Sequence, residues 1–591
     1  MGSTMNGQLL YIFAVAILDA AILSWVALHW YRRTVSRRMR PENGETPARG
    51  ADLRAGVQWS DAEGTGAEGV DAEGVDAEGA GAEVQVAVFR ADDDSAAKAS
   101  VRDWPAGWRR IAVGYCVGAA LFSAVITTAV LSGMPSPPLS AIFGTWWINA
   151  WPVVPTLILL LLLDRRGALG VVVTYLLAGS AALAILTLLV QAYRWSFSSA
   201  PLTNMFWLTA GILLTAYLPL SLLLLSGWRR IRAVMPLALA STLCFGLGLL
   251  VFRHAIVAAF NAPASRDLLL DLAVMTSHQV AYYSLYMVLA LPAGWLAWSL
   301  LKVLAASYER KKFSDVQLVV DCWWLIVTAE TITVSLVTAY GLAGIGIGLA
   351  AFGAYRVGTF ATLRLIPVRS AGTPKRLLLL RVFGHQARTE SLFDRIAQRW
   401  RFRGPVQLIA GTDLAMRTAD PGDMLAFVGG RLRDVYVTTS SDLPDRLARI
   451  DVRPDPDGRF RINELYCAAR TWQETLGELL TLNDVVLMDL RGFTRNNAGC
   501  VFELERLVAQ MSADSIVLVC DKTTDYKELS KLLAEAWRRA AGGASAPHGA
   551  ALTLVTIERN SRAALDALMG RLLGRGEPHR VLTLSELAAL A

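Results

Sequence analysis

Apolar positions in this chain form long unbroken runs as far as residue 366 and short bursts separated by amphipathic stretches after it. Runs near 9–30, 111–133, 141–163, 168–192, 203–227, 233–252, 279–303, 316–338 and 339–355 each match the ~20 residues that a helix needs to cross a hydrocarbon layer. They predict about nine spans. The last two runs abut at Tyr340-Gly341, which requires a tight turn or a re-entrant pair. From Lys375 onward the pattern predicts strands near 377–383, 405–410, 484–490, 515–520 and 552–557, with a weaker one near 579–583. Helices are predicted between them near 389–401, 421–432, 471–481, 498–511, 525–540 and 561–573. Thr389, Asp420-Pro421, Thr471, Asn497, Asp525 and Ser561 supply the helix starts. Parallel strands with helical crossovers on both faces are the simplest packing of this order. The expected fold is a multi-pass α-helical membrane domain followed by a C-terminal α/β domain with a doubly wound, flavodoxin-like parallel sheet.

Two stretches break these patterns. Residues 41–103 contain acidic, Gly-rich repeats of Asp-Ala-Glu-Gly-Val at 61–83, which bury too little apolar surface to offset the entropy of ordering. A mostly disordered cytoplasmic linker is expected there. Residues 434–465 interrupt the α/β rhythm, and Asp455-Pro456-Asp457-Gly458 reads as a hairpin turn between 450–453 and 459–462. Their carboxylates lack the ligand spacing of a calcium loop. The expected organisation is a first transmembrane helix at 1–33, the linker at 34–108, about eight further spans at 109–366, and an α/β domain at 372–591 with an insertion near 434–465.

Charge orients this arrangement. The chain carries a net charge of +7, yet only 18% of its residues are charged and 54% are hydrophobic. Arg32, Arg33, Arg37, Arg38, Arg40, Arg109-Arg110, Arg165-Arg166, Arg229-Arg230, Arg232 and Arg310-Lys311-Lys312 fall at every second boundary between runs. The positive-inside rule then places the N-terminus outside an inner plasma membrane and residues 366–591 in the cytoplasm. Trp25, Trp30, Trp146, Trp147, Trp195, Trp207 and Trp228 sit near span ends, where indole rings anchor at the interface. With the basic residues so explained and no recognition motif present, nucleic acid is not an expected partner; the lipid bilayer is. The six cysteines have neither zinc-site nor disulfide spacing, and no metal is expected.

Asp19, Asp321 and Glu330 fall within the apolar runs, where ionisable groups are costly. They read either as proton or cation sites of a transporter with a regulatory α/β tail or as interhelical hydrogen-bonding groups. The Gly344-x-x-x-Gly348 spacing reads as a close helix contact.

In a flavodoxin-like sheet the loop 384–388 would face the loop 491–495 across the carboxyl edge, where ligands of such sheets bind. The helix after the second loop carries Glu503. With Val501, Leu504, Val508 and Met511 taken as its buried stripe, Glu503 is expected to face the crevice or water.

The stretch Leu380-Arg381-Val382-Phe383-Gly384-His385-Gln386-Ala387-Arg388-Thr389 resembles the opening strand and loop of the Toll/interleukin-receptor (TIR) domain superfamily. Cys500-Val501-Phe502-Glu503-Leu504 is similar to that family's Trp-Cys-x-x-Glu-Leu helix, with Gly499 in place of the tryptophan. The resemblance covers residues 375–575. It implies a signalling or effector domain that self-associates. In the enzymatic members NAD is the substrate, cleaved at the nicotinamide–ribose bond, and no resident cofactor is required. It implies Glu503 as the catalytic carboxylate, stabilising an oxocarbenium-like ribose. Phe383, Gly384, His385, Arg388, Arg491 and Arg495 would line the ligand site, with the arginines holding pyrophosphate. A non-enzymatic membrane signalling or nucleotide-sensing module remains the alternative on the same fold.

Overall fold

The computed structural model describes residues 24–37, 85–90, 104–162, 168–196, 261–366, 373–381, 386–410, 421–432, 436–468, 471–540, 551–574 and 578–589, with positions 22, 221, 225, 234–237, 239–240 and 258–259. The C-terminal strands assemble into one nine-stranded sheet in the order β4-β5-β3-β2-β6-β7-β8-β1-β9. Its members are β1 (Gln85–Arg90), β2 (Leu377–Arg381), β3 (Val406–Ala410), β4 (Tyr436–Val437), β5 (Ile462–Cys467), β6 (Val485–Asp489), β7 (Ile516–Cys520), β8 (Ala551–Thr556) and β9 (Arg580–Thr583). All neighbours pair in parallel except β1 with β9. The six strands expected from the sequence are present, and the segment β3-β2-β6-β7-β8 has the second-first-third-fourth-fifth order of a flavodoxin-like sheet.

Period-two alternation divides the strands between two cores. Leu377, Leu379, Val485, Leu487, Val517 and Val519 point to one face. There they meet Leu392, Ile396 and Trp400 of helix Gln386–Trp400 and Leu565 and Leu568 of helix Arg562–Leu572. Leu378, Leu380, Val486, Met488 and Leu518 point to the other face. Helices Trp472–Leu482, Ala498–Gln510 and Tyr526–Ala540 cover it. Strands buried on both faces must be apolar throughout, which is why β6 and β7 read as continuous runs.

Two expectations are corrected. The linker is not wholly without structure, because Gln85–Arg90 forms β1, inserted between β8 and β9. The acidic repeats end at Glu83, and the subsequent Val-Ala-Val-Phe alternates between both cores: Ala87 and Phe89 in one, Val86 and Val88 in the other. The α/β unit is therefore built from two distant parts of the chain. Within the insertion, a turn does form at Asp455–Gly458, with Gly458 N–H donating to Asp455 O at 2.8 Å and Gly458 at φ 86°. It does not join two antiparallel strands. Ile462–Cys467 instead pairs in parallel with β3, and β4 pairs with β5, so the insertion extends the sheet.

The front of the chain is helical. We label its helices α1 (Trp104–Leu131), α2 (Leu139–Ala150), α3 (Val153–Leu162), α4 (Ala168–Ser196), α5 (Pro263–Thr276), α6 (His278–Glu309), α7 (Asp315–Thr331) and α8 (Ala343–Leu365). Among the described residues, Gly107–Leu131 is long and apolar enough to cross a membrane. A second such element exists if Ala141–Ala150 and Val153–Leu160, bent by 41°, count as one span. The expected runs at 9–30, 203–227 and 233–252 lie largely outside the described residues. After α7 the chain winds through a π-helical turn, Ile332–Leu336, reaches Tyr340 and reverses at Gly341, whose φ is 59°. The reversal folds α8 back on α7. Side chains added at Gly344 or Gly348 would overlap Leu336 and Ile332, so the Gly-x-x-x-Gly spacing does serve close packing. Gly118 of α1 and Gly358 of α8 permit a second close approach, where added side chains would meet Thr359 and Leu121.

The α/β unit sits against one end of this bundle. The residues that meet it include Tyr31 and Val35, Trp108 and Arg110, Tyr308 to Asp315, and the carbonyl-bearing end of α8. At the opposite end, Tyr340 donates to the carbonyl of Ala129 and shares a hydrogen bond with Ser132.

Because β9 pairs only with β1, it depends on a strand nearly five hundred residues earlier, whereas the short helix Leu584–Ala588 packs on helix Tyr526–Ala540. Val88→Pro in the full chain, which removes a backbone donor and distorts the strand, is expected to speed hydrogen exchange at 580–583 by about tenfold or more while leaving 485–489 protected. Unchanged exchange at 580–583, read by mass spectrometry, would show that β1 does not hold this edge.

Candidate functional site

Strands β2, β6, β7 and β8 end on one carboxyl edge, and β2 and β6 are the neighbours between which the connections change direction. The chain leaving β6 turns through Gly492, φ 77°, and folds Arg491 back on Asp489. Arg491 Nη2 lies 2.7 Å from Asp489 Oδ2, Nε lies 2.8 Å from Oδ1, and Nη1 donates to Asn560 Oδ1 at 2.8 Å. Both members of this fork are buried. The resemblance implies a pyrophosphate contact for Arg491; here its charge is matched by Asp489, and its role is to bind the ends of β6 and β8 together. The neighbouring loops are tied in the same way. Thr524 Oγ1 donates to Leu490 O at 3.0 Å, Lys522 N–H to Glu558 Oε1 at 3.2 Å, and Thr523 N–H to buried Asp521 at 2.9 Å.

Glu503 is placed differently from expectation. It is 4% exposed and shares the inward face of helix Ala498–Gln510 with Cys500, Leu504, Leu507 and Val508. Of the expected stripe, Leu504 and Val508 are buried and Val501 and Met511 are half-buried against the same core, and the buried face also takes in Cys500, Glu503 and Leu507. The carboxylate thus faces the protein, not water. Arg495 is on the surface, 3.4 Å from Glu528, with 77% of its side chain exposed. Phe383, Gly384 and His385 lie outside the described residues, as does the side chain of Arg388, whose backbone belongs to helix Gln386–Trp400. Of the predicted ligand-site residues, the structure brings Arg491 and the helix bearing Glu503 to the same edge and leaves Arg495 outside it.

The densest polar constellation lies at the opposite, amino edge of the sheet, where the α/β unit meets the helical half. The turn 455–459 inserts against the α6–α7 corner. Arg459 grips Asp457 through Nε at 2.9 Å and Nη2 at 2.8 Å, and Nη2 also donates to Ser314 Oγ at 2.9 Å. Ser314 Oγ in turn donates to Asp457, while its backbone and side chain form a capping box with Gln317 that starts α7. One turn away, Arg401 Nη2 lies 2.7 Å from Asp315 Oδ2. Arg461 holds Asp455 at 3.1 Å, donates to Tyr308 O at 2.7 Å and lies over the Tyr308 ring at 3.9 Å. Arg110 of α1 donates to Asp457 O at 3.0 Å and to the carbonyls of Leu363 and Ile366 at the end of α8. Lys311, in the left-handed region at φ 55°, pairs with Asp451.

Arg459 and Asp457 are almost wholly removed from solvent. A buried ion pair is favoured where further hydrogen bonds offset the loss of water, and here those to Asp457 and Arg459 Nη2 come from both halves of the chain, while Arg459 Nη1 finds none among the described residues. The sequence reading missed this joint because it placed Asp455-Pro456-Asp457-Gly458 in a hairpin turn followed by the segment 459–462. The available signal was the alternation of acid and base in a segment that also carries Phe460.

In the helical half, Asp321 is buried, paired with Arg356, and accepts from Tyr355 Oη at 3.1 Å. Glu330 is buried too, and its Oε2 has no hydrogen-bond partner. Asp19 lies outside the described residues. No group of three or more His, Cys, Asp or Glu side chains able to hold a metal occurs among the described residues.

Burial, opposed by Arg461, pushes the Asp455 carboxyl up to about 6. The folded chain therefore keeps this proton at pH values where the unfolded carboxyl, near ~3.9, has lost it. Folding stability contributed by Asp455 is greatest below that lower value and falls as pH rises through about 6. Asp455→Asn is expected to remove this component, so that its thermal midpoint converges on or passes that of the unaltered chain as the pH is raised. Parallel midpoint-against-pH curves would contradict the assignment.

No protein-family model, curated protein or solved structure matches this chain.

Proposed function

We propose that this chain is a polytopic membrane signalling protein in which a lipid-embedded helical half reports its packing to a cytoplasmic α/β domain. The observation that carries this reading is the buried ion joint between the α6–α7 corner and the turn 455–459. A flexible tether would let the two halves move independently; a desolvated network shared between them makes displacement of α6 or α7 costly unless the sheet moves too. Lipid embedding is supported by the outward apolar side chains of the bundle, among them Leu121, Leu177, Ile185, Leu291, Trp295 and Leu349. The same-sided contacts support the multi-pass topology. The helix ends that the positive-inside rule assigns to the cytoplasm are those seated on the α/β unit, at Tyr31, Arg110 and Lys311.

The joint occupies the amino edge of the sheet and the β2/β6 crevice the carboxyl edge. A ligand there would be exposed to the cytoplasm while being connected to the bundle through the strands. We assign the crevice to a nucleotide-type anion, approached by the first turns of helices Gln386–Trp400 and Ala498–Gln510. Cleavage of NAD, implied by the TIR resemblance, additionally requires buried Glu503 to become reachable when domains cluster in the membrane plane.

Full-length protein in lipid nanodiscs, free and artificially clustered, separates these readings. Photo-crosslinking of a dinucleotide to segments 384–388 and 491–497, without nicotinamide release, is the expected result for a binding module. Release that depends on clustering and drops by at least about a hundredfold in Glu503→Gln would establish the hydrolase reading. Crosslinking elsewhere, or none, would remove the crevice assignment.

A further inference from the structure

Glu330 differs from Asp321, the other buried carboxylate described on α7. Asp321, on the same helix, has Arg356 and Tyr355. Glu330 is 8% exposed, its Oε2 lacks a partner, and the residues around it on α7 are Ile326, Val327 and Thr331. Thr328 and Thr331 offer it no hydroxyl proton, since each donates to the carbonyl four residues earlier. Nine residues, or about 13 Å of helix, separate it from Asp321. Tyr340, beyond the π-turn, has its hydroxyl on Ala129 and Ser132, and Tyr115, Arg356 and Arg110 lie at the level of Asp321 or towards the joint. Tyr115 stacks on Tyr355, Arg356 pairs with Asp321, and Arg110 is in the joint itself. Nothing of opposite charge among the described residues is available to an ionised Glu330.

The second observation is its position in the backbone. Two residues after Glu330 the α-helical ladder gives way to the π-helical turn Ile332–Leu336, where Val337 N–H bonds to Ile332 O. A π-turn carries one extra residue, and migrating or resolving it rotates the downstream segment by about 100°. That segment holds Tyr340, whose hydroxyl fastens the α7–α8 hairpin to Ala129 of α1 and to Ser132 just after it. In the other direction α7 continues without a break to Ser314 and Asp315, which belong to the joint.

We propose that Glu330 is a proton-binding site, and that the proton it holds is a ligand that sets the packing of the α7–α8 hairpin. In the structure as folded, the side chain is accommodated as the neutral acid. Loss of the proton leaves a carboxylate in apolar surroundings, which must then gain water or a donor, and the adjacent π-turn is the backbone element able to rearrange to admit one. The proposal rests on the helical half lying in lipid. It adds to the signalling reading the chemical class of an input.

A lipid-soluble carbodiimide tests it on the full chain in nanodiscs. A protonated carboxyl adds across the carbodiimide C=N bond, giving its proton to one nitrogen and its oxygen to the central carbon; acyl migration then yields a stable N-acylurea that carries the whole reagent mass. The expected result is an adduct on Glu330, absent in Glu330→Gln, retained in Asp321→Asn, and falling about tenfold or more between about pH 6 and about pH 9. Glutamine mimics the neutral acid in shape, so the variant should keep the thermal midpoint of the parent. An absent adduct, or labelling that does not change with pH, overturns the proton site. Labelling of outward residues such as Leu121 and Leu349 by a lipid-borne diazirine reports separately on the membrane reading. If that labelling fails while a water-soluble carbodiimide reaches Glu330, it is the lipid embedding that falls.

Discussion

The two halves of this protein are held in one arrangement by charge that has been taken out of water. The Arg459–Asp457 pair is bonded further by Ser314, and Arg110 donates to the backbone carbonyl of Asp457; both of those groups belong to the helical half. Replacing such a network by apolar residues can be neutral or favourable, whereas removing one member strands the others at a cost of about 3–5 kcal/mol. The network thus contributes specificity of docking more than raw affinity. Around it, Trp108 against Phe402 and Tyr31 against Phe427 supply the apolar contact that excludes water. Gly107 leaves room for the Phe402 ring, which a side chain there would overlap.

This docking fixes the orientation of the sheet. The amino edge rests on the bundle, so the carboxyl edge, where an open α/β sheet takes its ligands, is the edge remote from the helices. On that remote edge the Asp489–Arg491 fork, its bond to Asn560 and the threonine ties close the loops of β6, β7 and β8. β2 and β6 are the neighbours at which the connections of this sheet change direction.

Much of this fold was legible in the residues. Strands with both faces buried announce themselves as continuous apolar runs, and the helix starts at Asn497 and Ser561 were marked by capping residues. Strand β1 was hidden because six residues following an acidic repeat carry too short a pattern to outweigh their surroundings, and only β8 and β9 give them a place. The joint was hidden for a different reason. Asp455, Asp457, Arg459 and Arg461 are the residues a solvent-exposed turn would also carry, and their burial is decided by partners more than a hundred residues away in the chain. Glu503 shows the limit of periodicity in a short helix. The expected stripe shares Leu504 and Val508 with the buried face, but that face is wide enough to take in Cys500, Leu507 and the Glu503 carboxylate as well.

Whether the buried joint makes the helical half and the α/β unit move as one body is measured by spin labels at Gly133, at the far end of the bundle, and at exposed Lys531 of the sheet unit, with pulsed dipolar spectroscopy in nanodiscs. A single narrow distance distribution is expected in the unaltered joint and a broad one in Arg459→Ala. A broad distribution with the joint intact, or a narrow one that survives the loss of Arg459, would contradict that coupling.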